Sequence, residues 1–154
     1  MASAAFGFGL QAFVGALLGL TWLLIAPRPA ATWVGTFWYA EDQAGFGAAQ
    51  DTWFALLVAL PGLAVGILLS RWSERPHPVR RLVCWLVGGV LGSTCCWLVG
   101  SGLGGGFGSP GQGDSAQAAP LTLTAPGLLA LWPFASALIV TAVLAARAAF
   151  GRTW

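Results

Sequence analysis

The sequence predicts an all-α, polytopic membrane protein: a bundle of four transmembrane helices that forms a single domain over residues 1–154. Its composition is the first reason, because 57% of the residues are hydrophobic and 8% are charged, whereas soluble domains carry roughly 25% charged residues. Four apolar stretches are the second reason, since each is long enough for a hydrocarbon core about 30 Å thick. Backbone groups in lipid must be bonded within the segment, so these stretches are expected to be helices.

The limits of the spans follow from the residues that flank them. Pro27 and Pro29 end the first span, because proline cannot continue the helical hydrogen bonds. Asp51 is a suitable N-cap for the second span, and Pro126 suits the first turn of the fourth. Residues 104–120, rich in Gly, Ser, Gln and Pro, are expected to be a flexible loop. The predicted spans are 6–26, 52–70, 82–103 and 125–146.

Arginine residues set the expected orientation. The connection between the second and third spans and the segment after the fourth hold most of them: Arg71, Arg75, Arg80, Arg81, Arg147 and Arg152. The other connections hold only Arg28. The positive-inside rule therefore predicts a multi-pass protein of the plasma membrane with both termini in the cytoplasm. The first span is expected to be retained, not cleaved as a signal peptide, because no basic residue precedes it.

Small residues at four-residue spacing predict close helix packing. Helices in lipid associate by close approach of their backbones, which glycine permits. The third span carries the longest such stripe, expected to face a neighbour in the same chain or in another subunit. The predicted packing residues are Gly15, Gly19, Gly62, Gly66, Gly88, Gly92, Cys96 and Gly100. The chain also reads as two helical hairpins, each crossing the membrane and returning.

Two prolines and two tryptophans suggest a possible cavity. Pro61 and Pro133 lie within the second and fourth spans and are expected to kink them. Trp97 and Trp132 lie deeper than the other tryptophans and are expected to be neighbours. Packing that fills the kinks is the simpler interpretation. Polar side chains within the spans either bond to helix carbonyls or line a small polar cavity: Gln11, Ser93, Thr94, Ser136 and Thr141.

The residues that usually carry chemistry are sparse. No ionisable residue lies in the middle of a span, although embedded carboxylates are what proton-coupled transporters need. Cys84 and Cys95 are too far apart along one helix for a disulfide, and no C-x-x-C pair occurs. No catalytic, cofactor-binding or metal-binding residue is predicted, and no basic, aromatic stripe favours nucleic acid.

The first outer connection is the most informative polar region. Residues 32–51 are too aromatic for a free loop and too short and polar to span, so we expect an interfacial segment over the outer end of the bundle. It is expected to act as a lid or anchor, or to contact a lipid headgroup or a partner. The candidate contact residues are Trp33, Trp38, Glu41, Asp42 and Asp51.

Two stretches of the chain carry a resemblance to a known family. One runs from Glu41-Asp42-Gln43-Ala44-Gly45-Phe46 through Asp51-Thr52-Trp53-Phe54-Ala55-Leu56-Leu57 into the second span. The other runs from Leu121-Thr122-Leu123-Thr124-Ala125-Pro126-Gly127 to Leu131-Trp132-Pro133. With the order of the spans, they resemble an uncharacterised actinobacterial family of small four-helix membrane proteins, a domain of unknown function. The resemblance implies location and architecture, and no activity.

Three functions are compatible with these observations. A non-enzymatic accessory or assembly subunit of a larger envelope or respiratory complex fits the small-residue stripes and the lack of reactive side chains. A small oligomeric transporter or lipid-handling protein is the alternative, with its cavity near Pro61, Trp97, Trp132 and Pro133. An enzyme acting at the outer interface through Glu41, Asp42 or Asp51 is the third. The expected partners are the lipid bilayer and another membrane protein or further copies of this chain.

Overall fold

The computed structural model describes residues 2–34, 37–39, 43–71, 78–105 and 117–151. Four α-helices dominate this part of the chain: α1 Ala2–Ile25, α2 Gln43–Arg71, α3 Pro78–Leu103 and α4 Leu131–Phe150. A 3-10 helix, Pro126–Ala130, leads directly into α4. Three short strands lie between the helices: β1 Ala30–Val34, β2 Phe37–Tyr39 and β3 Gln117–Ala118.

All four helical segments are long and apolar enough to cross a membrane, which confirms the predicted four-helix membrane architecture. Large apolar side chains cover the outside of the bundle. Leu24, for example, is 82% exposed and Phe6 is 73% exposed, a pattern that suits a lipid solvent. Hydrocarbon around such side chains removes the penalty that water would impose on them.

The helices pack mainly as two non-consecutive pairs, α1 with α3 and α2 with α4. Both pairs are parallel, because residue numbers rise together along the contacts. Gly15 lies against Gly92, and Gly19, one turn further, lies against Cys96. The main contacts therefore do not follow the two sequential hairpins. Contacts of α3 with α4 join the two pairs into one bundle.

α2 differs from its prediction at its beginning. The helix starts at Gln43, so Asp51 lies within it and the predicted N-cap role of Asp51 is wrong. The residues before Asp51 are mostly Gly and Ala, which resemble a loop in composition but do not interrupt the helix. With 29 residues, α2 is about 44 Å long. If Arg71 marks one interface, a core about 30 Å thick ends near Asp51.

α4 also begins differently, because residues 126–130 form a 3-10 helix and the α-helix starts at Leu131. Pro133 consequently lies in the first turn of α4, where no intrahelical partner is needed for its missing N–H. Instead of the predicted kink within the fourth span, the structure shows a change from 3-10 helix to α-helix at the start of that span. Pro61, by contrast, lies inside α2 as predicted.

The segment between α1 and α2 contains β1 and β2, and the all-α prediction did not include these strands. The sheet order is β2-β1-β3, with both neighbours antiparallel to β1. β3 belongs to the predicted loop 104–120, and Ala119 N–H extends the pairing by donating 2.8 Å to the carbonyl of Pro29. β1 follows α1 directly, and the N–H of Leu121, just after β3, donates to the carbonyl of Gly104 at the end of α3. We call this end of the bundle, where α1 and α3 finish, the sheet end.

The opposite end is defined by basic residues. α2 finishes at Arg71, α3 begins near Arg80 and Arg81, and α4 carries Arg147 near its last turn. We call this the arginine end. One cluster of buried hydrophobic side chains lies toward the sheet end: Trp22, Ala26, Phe54, Val58, Cys96, Leu121 and Trp132.

Candidate functional site

The stripe of small residues on α3 forms the contact with α1. A Cβ atom on Gly15 would meet the carbonyl oxygen of Gly92 and lie 2.7 Å from its carbonyl carbon. A Cβ atom on Gly19 would lie 2.5 Å from the carbonyl oxygen of Cys96. Gly100 faces the indole of Trp22. This stripe is therefore occupied within the chain and not left for another subunit.

α2 and α4 meet through a second set of small residues. Cβ atoms on Gly62 and Gly66 would lie 2.6 Å from the carbonyl oxygen of Trp132 and 2.9 Å from that of Ser136, respectively. The hydroxyl of Ser136 donates 2.8 Å to the carbonyl oxygen of Gly62, one residue after Pro61. Backbone approach and a hydrogen bond thus fasten this pair together.

Trp132 fills the junction between these helix pairs. Its side chain is 1% exposed. Cβ atoms on Gly89 and Gly92 would lie 3.2 Å from its Cδ1 and 2.7 Å from its Cζ3, respectively. Trp97 is half-buried and packs against the same buried cluster. Of the predicted cavity residues, Trp132 is thus packed against helix positions on α2 and α3.

Gln50 joins three parts of the chain at the sheet end. Its side-chain nitrogen donates 3.1 Å to the carbonyl of Pro27, and its Oε1 accepts 3.3 Å from the N–H of Thr122. Its own carbonyl accepts 2.9 Å from Nε1 of Trp22. Sequence reasoning missed Gln50, although a polar residue beside Asp51 at the edge of an apolar stretch was a usable signal.

Asp51 continues this arrangement at the beginning of the 3-10 helix. Its two carboxylate oxygens accept 2.9 Å from the N–H of Thr124 and 3.0 Å from that of Ala125. The carboxylate therefore satisfies N–H groups at a helix N-terminus, where negative charge is favourable. We call Gln50 and Asp51 together the α2 clamp. It joins the N-terminal part of α2 to residues 122–125.

The positions of Trp22 and Trp53 in the sequence, near the outer ends of the first and second spans, predict two interfacial anchors. The structure instead shows Trp22 in the core. Its side chain is fully buried, and its ring meets that of Phe54 edge-on with centroids 5.1 Å apart. Trp53, the other tryptophan expected near this interface, is 42% exposed. Of these two tryptophans, Trp53 has the exposure of an anchor.

The remaining outer candidates are partly described. Trp33 of β1 and Trp38 of β2 are directly opposite each other in the antiparallel pair. Glu41 and Asp42 lie outside the described residues. The structure thus pairs the backbone of Trp33 with that of Trp38 at the sheet end, and it ties Asp51 to the start of the 3-10 helix.

Most polar side chains within the spans bond to helix carbonyls. Ser93 donates 3.1 Å to Gly89 and Thr94 donates 2.8 Å to Val90, each within α3. Gln11 differs, because its side chain is 3% exposed and its Oε1 has no hydrogen-bond partner among the described residues. Nε1 of Trp132 is likewise buried and unpaired in that part of the chain.

Within the described ranges, no three His, Cys, Asp or Glu side chains are grouped as a metal site. No protein-family model, curated protein or solved structure matches the chain. The candidate sites are therefore the sheet end, held by the α2 clamp, and the interior junction at Gln11 and Trp132.

Proposed function

We propose that this protein is a non-enzymatic accessory or assembly subunit of a larger envelope or respiratory complex, with the sheet end as its partner-binding surface. The observation that carries the proposal is the fixed position of the sheet. Ala119 N–H ties β3 to Pro29, and the α2 clamp ties Pro27 and Thr122 to α2. A small sheet outside the spans is thereby held against the bundle, as a recognition surface requires.

The sheet offers two features that suit a protein partner. β2 is at one edge of the order β2-β1-β3, and exposed strand edges pair readily with another chain. Trp33 and Trp38 are opposite residues of the β1–β2 pair. Tryptophan is enriched among the residues that dominate binding energy at protein interfaces.

The proposal includes an orientation and a location. The arginine end carries Arg71, Arg80, Arg81 and Arg147, and the positive-inside rule assigns such an end to the cytoplasm. The sheet end then faces outward from the plasma membrane, and both termini are cytoplasmic. The resemblance to the actinobacterial family of four-helix proteins is part of the same proposal.

A small transporter or lipid-handling protein is the second candidate. Dense packing argues against a wide pathway, since Trp132 contacts helix positions on both α2 and α3. The observation that favours this candidate is the buried, unpaired polar pair of Gln11 and Trp132 among the described residues.

The test is a quantitative purification of tagged protein from native membranes in mild detergent, followed by mass spectrometry. We expect one membrane-protein partner at a fixed stoichiometry. A Trp33→Ala, Trp38→Ala variant should lose that partner, and the exposed tryptophan variant Trp53→Ala should keep it. Recovery of this chain alone, or equal loss of the partner from both variants, would contradict the proposal.

A further inference from the structure

We propose that Gln11 and Trp132 form an internal binding site for one hydroxyl group, supplied by water or by a small membrane-soluble molecule. The site lies where α1 and α4 both meet one turn of α3. It is separate from the sheet end, so it does not depend on the accessory-subunit proposal.

Both polar groups are deeply buried, and the structure shows no hydrogen-bond partner for either among the residues that it describes. The side chain of Gln11 is 3% exposed and that of Trp132 is 1% exposed. In the described part of the chain, neither Oε1 of Gln11 nor Nε1 of Trp132 makes a hydrogen bond. Buried polar groups in folded proteins are bonded to protein, water or a ligand. Two such groups on one turn of α3 therefore favour a partner that bonds to both.

The two side chains lie on the same glycine-lined surface of α3. The amide of Gln11 rests on Gly88, where a Cβ atom would be 3.0 Å from Oε1. The indole of Trp132 rests on Gly89 and Gly92. Gly92 lies against both residues: a Cβ atom on Gly92 would be 2.9 Å from Cη2 of Trp132 and 3.0 Å from the main-chain oxygen of Gln11. The absence of side chains at the three glycines is what lets both groups reach this turn.

The chemistry of the pair selects a hydroxyl group. Nε1 of Trp132 only donates, and Oε1 of Gln11 only accepts. A hydroxyl oxygen can accept from the first while its own hydrogen is donated to the second. Other groups on this turn do not compete, because the hydroxyl of Ser93 already donates to the carbonyl of Gly89. A charged ligand would be disfavoured, since the two side chains that contact it are neutral.

The test uses the full chain in deuterated micelles and records the indole N–H resonance of Trp132 by NMR. Leu131–Trp132 is the only Leu-Trp pair in the sequence, so carbonyl-labelled Leu with nitrogen-labelled Trp identifies the Trp132 amide uniquely. Its indole resonance is then assigned through contacts within the residue. Gln11→Met removes the acceptor at similar length, and Leu18→Met introduces the same residue elsewhere in α1 as a control.

We expect a downfield, hydrogen-bonded indole resonance that shows a cross-peak to the bound molecule. A cross-peak at the water frequency identifies water, and one to non-exchangeable protons identifies a membrane-soluble alcohol or phenol. Gln11→Met should remove the cross-peak and shift the resonance upfield, whereas Leu18→Met should change neither.

An indole resonance without any such cross-peak, or one indifferent to Gln11→Met, overturns the proposal. If Gln11→Met does not fold, the unsubstituted protein still decides the question. In that case the side-chain amide protons of Gln11 must show a cross-peak to the same molecule that Trp132 contacts, and their failure to do so also overturns the proposal.

Discussion

The hydroxyl of Ser136 on α4 donates a hydrogen bond of 2.8 Å to the carbonyl oxygen of Gly62 on α2. It also lies 3.1 Å from the carbonyl oxygen of Trp132 in its own helix. The contact across helices makes Ser136 the side chain that most directly couples the two members of this pair. Ser93 has a similar burial, but among the described residues its hydroxyl bonds within α3, to the carbonyl of Gly89.

Ser136→Ala should therefore destabilise the protein by about 0.6 kcal/mol, with about 1.7 kcal/mol as an upper bound for such bonds in membranes. The free energy of unfolding in a detergent titration measures the effect. Ser93→Ala is the matched control and should cost less, because it removes no bond between helices. Equal losses of stability in the two variants would mean that the hydrogen bond of Ser136 to Gly62 contributes no more than a bond within one helix.

Gly15→Ala should disrupt the contact of α1 with α3. The added methyl group would meet the carbonyl of Gly92, which is main chain and cannot rotate away. Overpacking of this kind costs about 1–3 kcal/mol, which the same titration measures. Gly9→Ala is the control, since nothing lies within 4 Å of the position of its Cβ atom. A Gly15→Ala variant as stable as Gly9→Ala would show that α1 and α3 are not in close contact.

The helices were predictable from the sequence because their signal is local. Apolar length alone located all four spans, and the Gly15, Gly19 and Gly92 spacing marked faces capable of close approach. Which faces meet is not a local property. α1 pairs with α3 because their surfaces are complementary, although the two helices are far apart in the chain. The prediction of two sequential hairpins did not include this pairing.

The sheet end was less predictable for a related reason. The role of Asp51 depends on Thr124 and Ala125, which lie more than seventy residues later in the chain. Capping preferences correctly marked Asp51 as a residue that binds N–H groups at a helix start, but assigned it to the wrong helix. The pairing of β1 with β3 is also non-local, and two residues of β3 within a Gly-rich segment carry no strand signal.

Trp22→Phe should destabilise the junction at the sheet end. The substitution removes the 2.9 Å hydrogen bond to the carbonyl of Gln50. That carbonyl lies inside α2 and keeps its helical hydrogen bond, so the cost is that of one hydrogen bond, about 0.5–1.5 kcal/mol. Thermal unfolding in detergent measures the change. Trp53→Phe, at a position that is 42% exposed, is the control and should change the stability little. Similar effects from both substitutions would contradict the core position of Trp22.

Asp51→Ala should loosen the beginning of the fourth span without unfolding the bundle. The substitution removes both acceptors for the N–H groups of Thr124 and Ala125. A hydrogen bond to a charged group contributes about 1.5–3 kcal/mol, and exposure to water brings each of these bonds to the lower end of that range. Hydrogen exchange at these two amides measures the effect, and exchange should become faster there while the interior of α3 stays protected. Thr52→Ala is the control, because Thr52 bonds only to Ala48 in its own helix.

Asp51→Asn separates the charge of Asp51 from its shape. Asparagine keeps one side-chain oxygen as an acceptor but presents an NH₂ group to the second N–H. Hydrogen exchange should therefore become faster at the amide that faces the NH₂ group, and it should change less at the amide that still bonds to the side-chain oxygen. The same two variants test an enzymatic role for Asp51. If Asp51 were a catalytic carboxylate, Asp51→Ala and Asp51→Asn would abolish the activity equally. If Asp51 belongs to the α2 clamp, the loss of amide protection should follow the number of acceptors that each variant removes. Unchanged exchange in Asp51→Ala would show that the 3-10 helix is held by its packing alone.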